Sequence, residues 1–352
     1  MKNIKFFNTY LFIATFSRNI LDIYSVVFLY QKGMSIHTII GLYALVYFCG
    51  SIISQISIKI GNRIGYKYIL ITSTIVSALT FYLIKSINNP YLIALNLSLS
   101  IFTYHPIRHY YGMTLLNEKK KISTSLILSY FASFLASYAV IKDLNLVYLV
   151  IITIISLIPT IFIKKAPPKN ISKTTTTLSK NKILFYIFDQ FKILFLLLEP
   201  LYLYTISKKI SFVGTFNIVI TFSSIICLYF FSKKNSLHKS YPFINIIFVI
   251  ILFIKLNINN QILLLLIALL EGIGIKINEL ISTINLYSAI KEKEKERYLI
   301  VSEQIFCLTR TIIFSILYIC NFRLTTIMHL LLVGIFILSF LYKSNENKIK
   351  KL

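Results

Sequence analysis

Apolar runs long enough to cross a lipid bilayer recur from residue 6 to residue 342 of this 352-residue chain. A hydrocarbon core about 30 Å thick takes about 20 helical residues to span. No stretch left between the runs would hold a soluble domain of any size. Composition agrees: 57% of residues are hydrophobic, mean hydropathy is +0.76 and only 14% are charged, where soluble domains carry about 25%. Inside lipid the backbone must satisfy its own hydrogen bonds, and a helix does so within a single segment. The chain therefore reads as an all-α polytopic membrane protein.

The formal net charge of +25 would point a soluble protein toward nucleic acid. Here the basic residues collect in alternate loops instead. One set holds Lys2 and Lys5, then Lys59, Arg63 and Lys67, then Lys119 to Lys121, and then the lysines between Lys164 and Lys182. It continues with Lys233, Lys234 and Lys239, with Lys291, Lys293, Lys295 and Arg297, and with Lys343 to Lys351. The intervening loops hold few, such as Lys32, Lys85, Lys142, Lys208, Lys209, Lys255 and Arg323. This alternation follows the positive-inside rule. It places both termini in the cytoplasm and requires an even number of spans in a cytoplasmic (inner) membrane, with the bilayer, not nucleic acid, as the large partner.

About twelve spans are expected. The first six lie near 6–30, 35–58, 68–86, 91–113, 124–141 and 145–163. The second six lie near 183–206, 211–231, 241–256, 261–290, 299–320 and 324–342. The stretch from Lys164 to Lys182, with its Pro pair and Thr run, reads as a flexible cytoplasmic linker. It divides the chain into an N-terminal six-helix bundle (1–163) and a C-terminal one (183–352). FLYQKGMSIHTIIG, from the end of the first span into the second, has a faint echo in YLYTISKKISFVGTF at the matching part of the seventh and eighth. With a 6+6 layout, that echo suggests two bundles related by pseudo-two-fold symmetry about a central path. Cys49, Cys227, Cys307 and Cys320 lie in apolar segments at unrelated spacings, so neither a disulfide framework nor a metal site is expected. The first apolar stretch lacks a small-residue cleavage site and reads as a span, not a removed signal peptide. Six arginines against 31 lysines, with abundant Ile and Asn, fit an AT-rich bacterial genome.

Half of the twelve acidic residues fall inside spans: Asp22, Asp189, Glu199, Glu271, Glu279 and Glu303. A charge near the bilayer centre costs about 2.5–3.5 kcal/mol even on mild scales, so such residues face a partner or a water-filled cavity. The intramembrane cations are Arg18 on the first span, Arg108 on the fourth, Lys192 on the seventh, Lys276 on the tenth and Arg310 on the eleventh. His105 and His109 accompany Arg108. Arg18 and Asp22 are four residues apart, Asp189 and Lys192 three, and Lys276 and Glu279 three, so each pair shares a helix face. Glu303 and Arg310, seven apart, share one too. Glu271 has no cation on its own face: it needs one from another helix or must stay protonated and neutral, and in mid-span it is the first candidate for a transport role. Pro106, Pro200, Gly272 and Gly274 lie beside these charges, where helix breaks would line a cavity. No phosphate loop or nucleophilic triad is present. The one metal-like spacing, the i,i+4 pair His105 and His109, reads as cavity or interface residues because no carboxylate ligand lies nearby, so neither an enzyme nor a bound cofactor is expected.

At this point the chain resembles the major facilitator superfamily. IKIGNRIGYKYIL between the second and third spans is similar to that family's loop signature. Arg63, Gly65 and Lys67 match it, while Asn62 stands where the family has Asp and Ile58 where it has Gly. Arg108-His-Tyr-Tyr-Gly112 is similar to the family's Arg-x-x-Gln-Gly signature, with Tyr111 in place of Gln. The resemblance implies a central cavity lined by spans 1, 4, 7 and 10, with span 11 beside it. It also implies secondary active transport of a small solute by alternating access, coupled to protons, by a monomer. Arg18, Asp22, His105, Arg108, Lys192, Glu199, Glu271, Lys276 and Glu279 would then form the solute and proton pathway. Asn62, Arg63, Gly65, Lys67, Asp189, Glu303 and Arg310 would serve gating. The alternative is a protein of transporter fold acting as a membrane sensor or assembly component without transport.

Overall fold

The computed structural model describes residues 2–86, 89–115, 119–142, 146–163, 180–231, 237–288 and 295–349, with the side chain of Asp22 outside that set. Within it the chain runs through α1 (Lys2–Gln31), α2 (Ile36–Ile64), α3 (Tyr66–Ser86), α4 (Pro90–Leu115), α5 (Lys119–Ile141), α6 (Leu146–Ile155) and α7 (Leu157–Phe162). After the linker, most of which lies outside the described residues, come α8 (Lys180–Ser207), α9 (Ile210–Phe231) and α10 (Leu237–Leu256). Then follow α11 (Gln261–Ser288), α12 (Lys295–Cys320) and α13 (Leu324–Ile349).

Six of these helices, α1, α2, α5, α9, α11 and α12, contain segments both long and apolar enough to cross a membrane. Shorter apolar segments occupy Val147–Phe162, Pro242–Leu256 and Leu324–Phe340. The remaining long helices carry more polar side chains and turn them inward: Ser73, Ser77 and Thr80 on α3, Ser98 and Ser100 on α4, Gln190, Lys192 and Glu199 on α8. The outside is apolar. Phe48, Ile52 and Ile56 on α2, Ile262, Leu266 and Leu270 on α11, and Ile312, Ile316 and Ile319 on α12 form exposed stripes. Soluble proteins rarely expose such continuous apolar surface; lipid is its proper solvent, and the chain is a multi-pass membrane protein.

Packing follows a recurring pattern. In the first half α2 packs on α4, α3 on α4 and α6, and α1 on α5. In the second half α9 packs on α11, α10 on α11 and α13, and α8 on α12 and α13. Contacts between the halves run through α2 with α12, α5 with α9, and α1 with α8.

Four local expectations are corrected. The span expected at 145–163 is two helices, because Pro159 in the first turn of α7 has no N–H to offer the Ile155 carbonyl; the Ser156 hydroxyl bonds back to Thr153 O. Second, α2 continues to Ile64, so the basic loop is little more than Gly65, whose φ of +106° lets the chain reverse into α3. Third, Pro106 and Pro200 sit inside the continuous helices α4 and α8. Gly272 and Gly274 likewise leave α11 unbroken; they give neighbours close approach, since a Cβ on Gly272 would lie 2.3 Å from Ile220 O and one on Gly274 would lie 2.4 Å from the Phe248 ring. The Ser224 hydroxyl reaches Gly272 O across that seam at 2.9 Å, the small-residue packing usual between membrane helices. Fourth, Lys255 is no loop residue: it lies in the last turn of α10 and is fully buried.

Candidate functional site

A cavity of about 490 Å³ lies between the halves, within the usual range for small-molecule sites. From the first half it is walled by α1 (Phe7, Leu11, Leu21, Ser25), α2 (Tyr43, Tyr47), α4 (Leu97, Ile101, Phe102, His105, Arg108, His109) and α5 (Ser125, Leu126, Tyr130). From the second half come α8 (Phe185, Tyr186, Asp189, Gln190, Lys192 and apolar neighbours), α11 (Ile275, Glu279) and α12 (Glu303, Phe306, Arg310). The cavity is thus apolar over much of its surface, with a few charged groups converging on it.

Asp189 and Glu279 are each held by a definite cation. Lys192 Nζ bonds Asp189 Oδ1 at 2.5 Å, one turn back on α8. Lys276 Nζ lies 2.9 Å from Glu279 Oε2, again within one turn. The Tyr130 hydroxyl of α5 donates to the same oxygen, and the Lys276 ammonium stands 3.6 Å from the centre of the Tyr130 ring. Lys276 itself is sealed behind the wall, while the Glu279 side chain keeps 36% of its surface open. Glu279 is therefore a carboxylate clamped on one oxygen and open to the cavity. Glu303 Oε1 lies 3.9 Å from His109 Nε2 of α4, so the two ion-pair only when the imidazole is protonated. The His105 and His109 rings lie tilted to one another, their centres 6.2 Å apart. Among the described residues no group of three or more His, Cys, Asp or Glu side chains is gathered in a way that would hold a metal.

Arg310 is positioned differently. It makes no ion pair with Glu303 on its own helix among the described residues. Its Nε donates to Gln190 Oε1 of α8 at 2.8 Å, and Gln190 Nε2 donates in turn to Tyr186 O at 2.9 Å. The guanidinium carbon sits 5.0 Å from the centre of the Tyr47 ring. Tyr47 stacks on Phe314 and meets Phe102 edge-on, and Tyr43 beside it bonds Ser25 at 2.6 Å.

Several residues singled out from sequence lie off this wall. Arg18 is a packing hub of the first half: it donates to Ser100 O and to Ser77 Oγ, and its guanidinium covers the Tyr104 ring at 3.8 Å. The Asp22 side chain lies outside the described residues, although its neighbours Leu21 and Ser25 line the cavity. Glu199 and Glu271 form a separate buried cluster. Lys255 Nζ bonds both, at 2.7 Å for Glu271 Oε1, and the Phe195 and Phe216 rings flank the ammonium at 4.9 and 5.6 Å. The triad ties α8, α10 and α11 together, with Lys255 and Glu271 at zero exposure. Sequence reasoning left Glu271 either a cation from another helix or a neutral state, and assigned Lys255 to a loop. Its place inside the expected ninth span, 241–256, was the available signal.

The basic-turn motif stays within the first half. The Tyr66 hydroxyl donates to Asn62 Oδ1, and the Tyr66 ring stacks on Tyr110 of α4 with centres 3.9 Å apart. Lys67 Nζ caps the Ile161 carbonyl near the end of α7, and Arg63 points out from the last turn of α2.

The fold matches solved transporters over nearly its whole length. A variant of the nucleoside transporter NupG superposes with a TM-score of 0.70 at 12% identity, covering 97% of this chain and 99% of that one. A bacterial homologue of the iron transporter ferroportin in its outward-facing state superposes at 0.69 with 10% identity, covering 99% and 100%. No protein-family model matches the sequence, and no curated protein matches it. This chain has the fold of membrane transporters.

Proposed function

We propose that the protein is a secondary active transporter of the major facilitator type, moving a small solute across the cytoplasmic membrane by alternating access. The observation that carries the reading is the cavity: charged side chains from α4, α8, α11 and α12 converge on one space between the two halves of an otherwise lipid-facing chain. Secondary transporters with internal repeats place their solute sites near the midplane, at the repeat interface. The helix packing supports two six-helix bundles, α6 and α7 together making one span. Contacts of α2 with α4, α3 with α6 and α1 with α5 recur as α9 with α11, α10 with α13 and α8 with α12. The pairs that join the halves, α2 with α12 and α5 with α9, map onto one another under the same exchange. Rocking about that pseudo-axis would open the cavity to either side. Both termini and the 164–182 linker lie in the cytoplasm.

In this reading Glu279, held by Tyr130 and Lys276 yet open to the cavity, is the proton-coupling acid. Glu199 and Glu271, tied off by Lys255, serve as a tether within the second bundle. The test is solute flux into proteoliposomes with an imposed pH gradient, screened across charged metabolites. Uptake that collapses when the gradient is dissipated supports the reading. A protein that binds solutes without ever moving them is a sensor of transporter fold, and the reading fails.

A further inference from the structure

Arg310 is the cavity charge whose geometry names a ligand. Its Nε is committed to Gln190, and Gln190 is itself locked by Tyr186 O, so the guanidinium is fixed in orientation before any ligand arrives. Among the described residues its two terminal nitrogens have no protein partner, although the side chain faces the cavity. A planar pair of N–H donors matches the two oxygens of a carboxylate. Beside it stands an aromatic wall of Tyr43, Tyr47 and Phe102, suited to an apolar or aromatic body. The cavity's three acids, Asp189, Glu279 and Glu303, are matched in number by Arg108, Lys192 and Arg310, so the space holds no surplus of positive charge to draw a dianion. We propose that Arg310, positioned by Gln190, binds the carboxylate of a small monoanionic organic acid whose apolar body rests on Tyr47 and Phe102.

This rests on the cavity being the solute site of a transporter, and the two ideas fail separately. The full-length protein in lipid nanodiscs is titrated calorimetrically with benzoate, with uncharged benzamide and with inorganic phosphate. Benzoate binds, benzamide does not, and phosphate binds at least about tenfold more weakly. Arg310→Gln removes benzoate binding. Arg310→Lys keeps the charge but loses the fork and weakens binding by about tenfold or more; it carries the test if Arg310→Gln does not fold. Absent benzoate binding, equal binding of benzamide, tighter binding of phosphate, or wild-type affinity in Arg310→Lys each overturns the assignment. Benzoate uptake is then measured in proteoliposomes. Arg310-dependent binding without uptake leaves the site standing and sinks the transport reading. Proton-driven uptake of a solute that survives Arg310→Gln does the reverse.

Discussion

Lys255→Met leaves two carboxylates, Glu199 and Glu271, in a pocket where lysine and Glu271 have no exposed surface. At the 2.7 Å separation of Lys255 Nζ and Glu271 Oε1, Coulomb's law at an effective dielectric of 20 gives an attraction of about 6 kcal/mol. Burying each ion costs several kcal/mol, which offsets much of that gain. What survives on deleting one partner is the penalty of an uncompensated buried charge, about 3–5 kcal/mol. The chain has no tryptophan, so unfolding is followed by a thiol-reactive dye that reports release of the buried Cys227 and Cys307. Lys255→Met is expected to lose about 3–5 kcal/mol in an SDS titration, and the neutral combination Lys255→Met, Glu199→Gln, Glu271→Gln to regain most of it. A loss under about 1 kcal/mol, the scale of a surface pair, would refute a buried charge triad. So would a neutral triple variant no more stable than the single one.

Four further outcomes are expected. Gly272→Ala pushes a Cβ to 2.0 Å from Ser223 Oγ and 2.3 Å from Ile220 O, and should cost about 1–3 kcal/mol of overpacking in the same dye assay. Gly65→Ala forces a side chain onto φ +106°, a strain of about 1–3 kcal/mol, and should lower the melting temperature. Glu279→Gln should abolish pH-gradient-driven uptake while solute still binds, whereas Glu271→Gln should leave that uptake in place; the opposite pattern would move proton coupling to the triad. For topology, exposed Cys320 at the end of α12 should react with an impermeant maleimide from outside intact cells. A cysteine placed by Asn170→Cys in the linker should react only after permeabilisation.

Local chemistry made some pairs legible in advance. Asp189 with Lys192 and Lys276 with Glu279 lie one helical turn apart, and each is a bonded pair. Glu303 and Arg310 share a face as expected, yet their partners are on other helices: His109 and Gln190. No periodicity reaches across helices, so those partners could not be read from the chain. Lys255 shows the same limit, because a cation at the end of an apolar run looks alike whether it snorkels to water or turns inward. Pro106 and Pro200 misled for a related reason: each removes one backbone bond, and packed neighbours absorb the loss without breaking α4 or α8.

By itself the sequence determined that this is a multi-pass helical membrane protein, because apolar length, low charge content and backbone satisfaction in lipid leave little else. It also marked most of the charges that the structure holds inside the helix bundle, since a charge in hydrocarbon is costly enough to need a partner or a water-filled cavity. Only the tertiary structure decided which of them face the cavity and which are buried between packed helices away from it. That choice depends on how each helix is rotated against its neighbours, and side chains distant in sequence set it. Arg18, Glu199 and Glu271 thereby lie off the cavity among packed helices, and Glu279, Glu303 and Arg310 line the space between the halves.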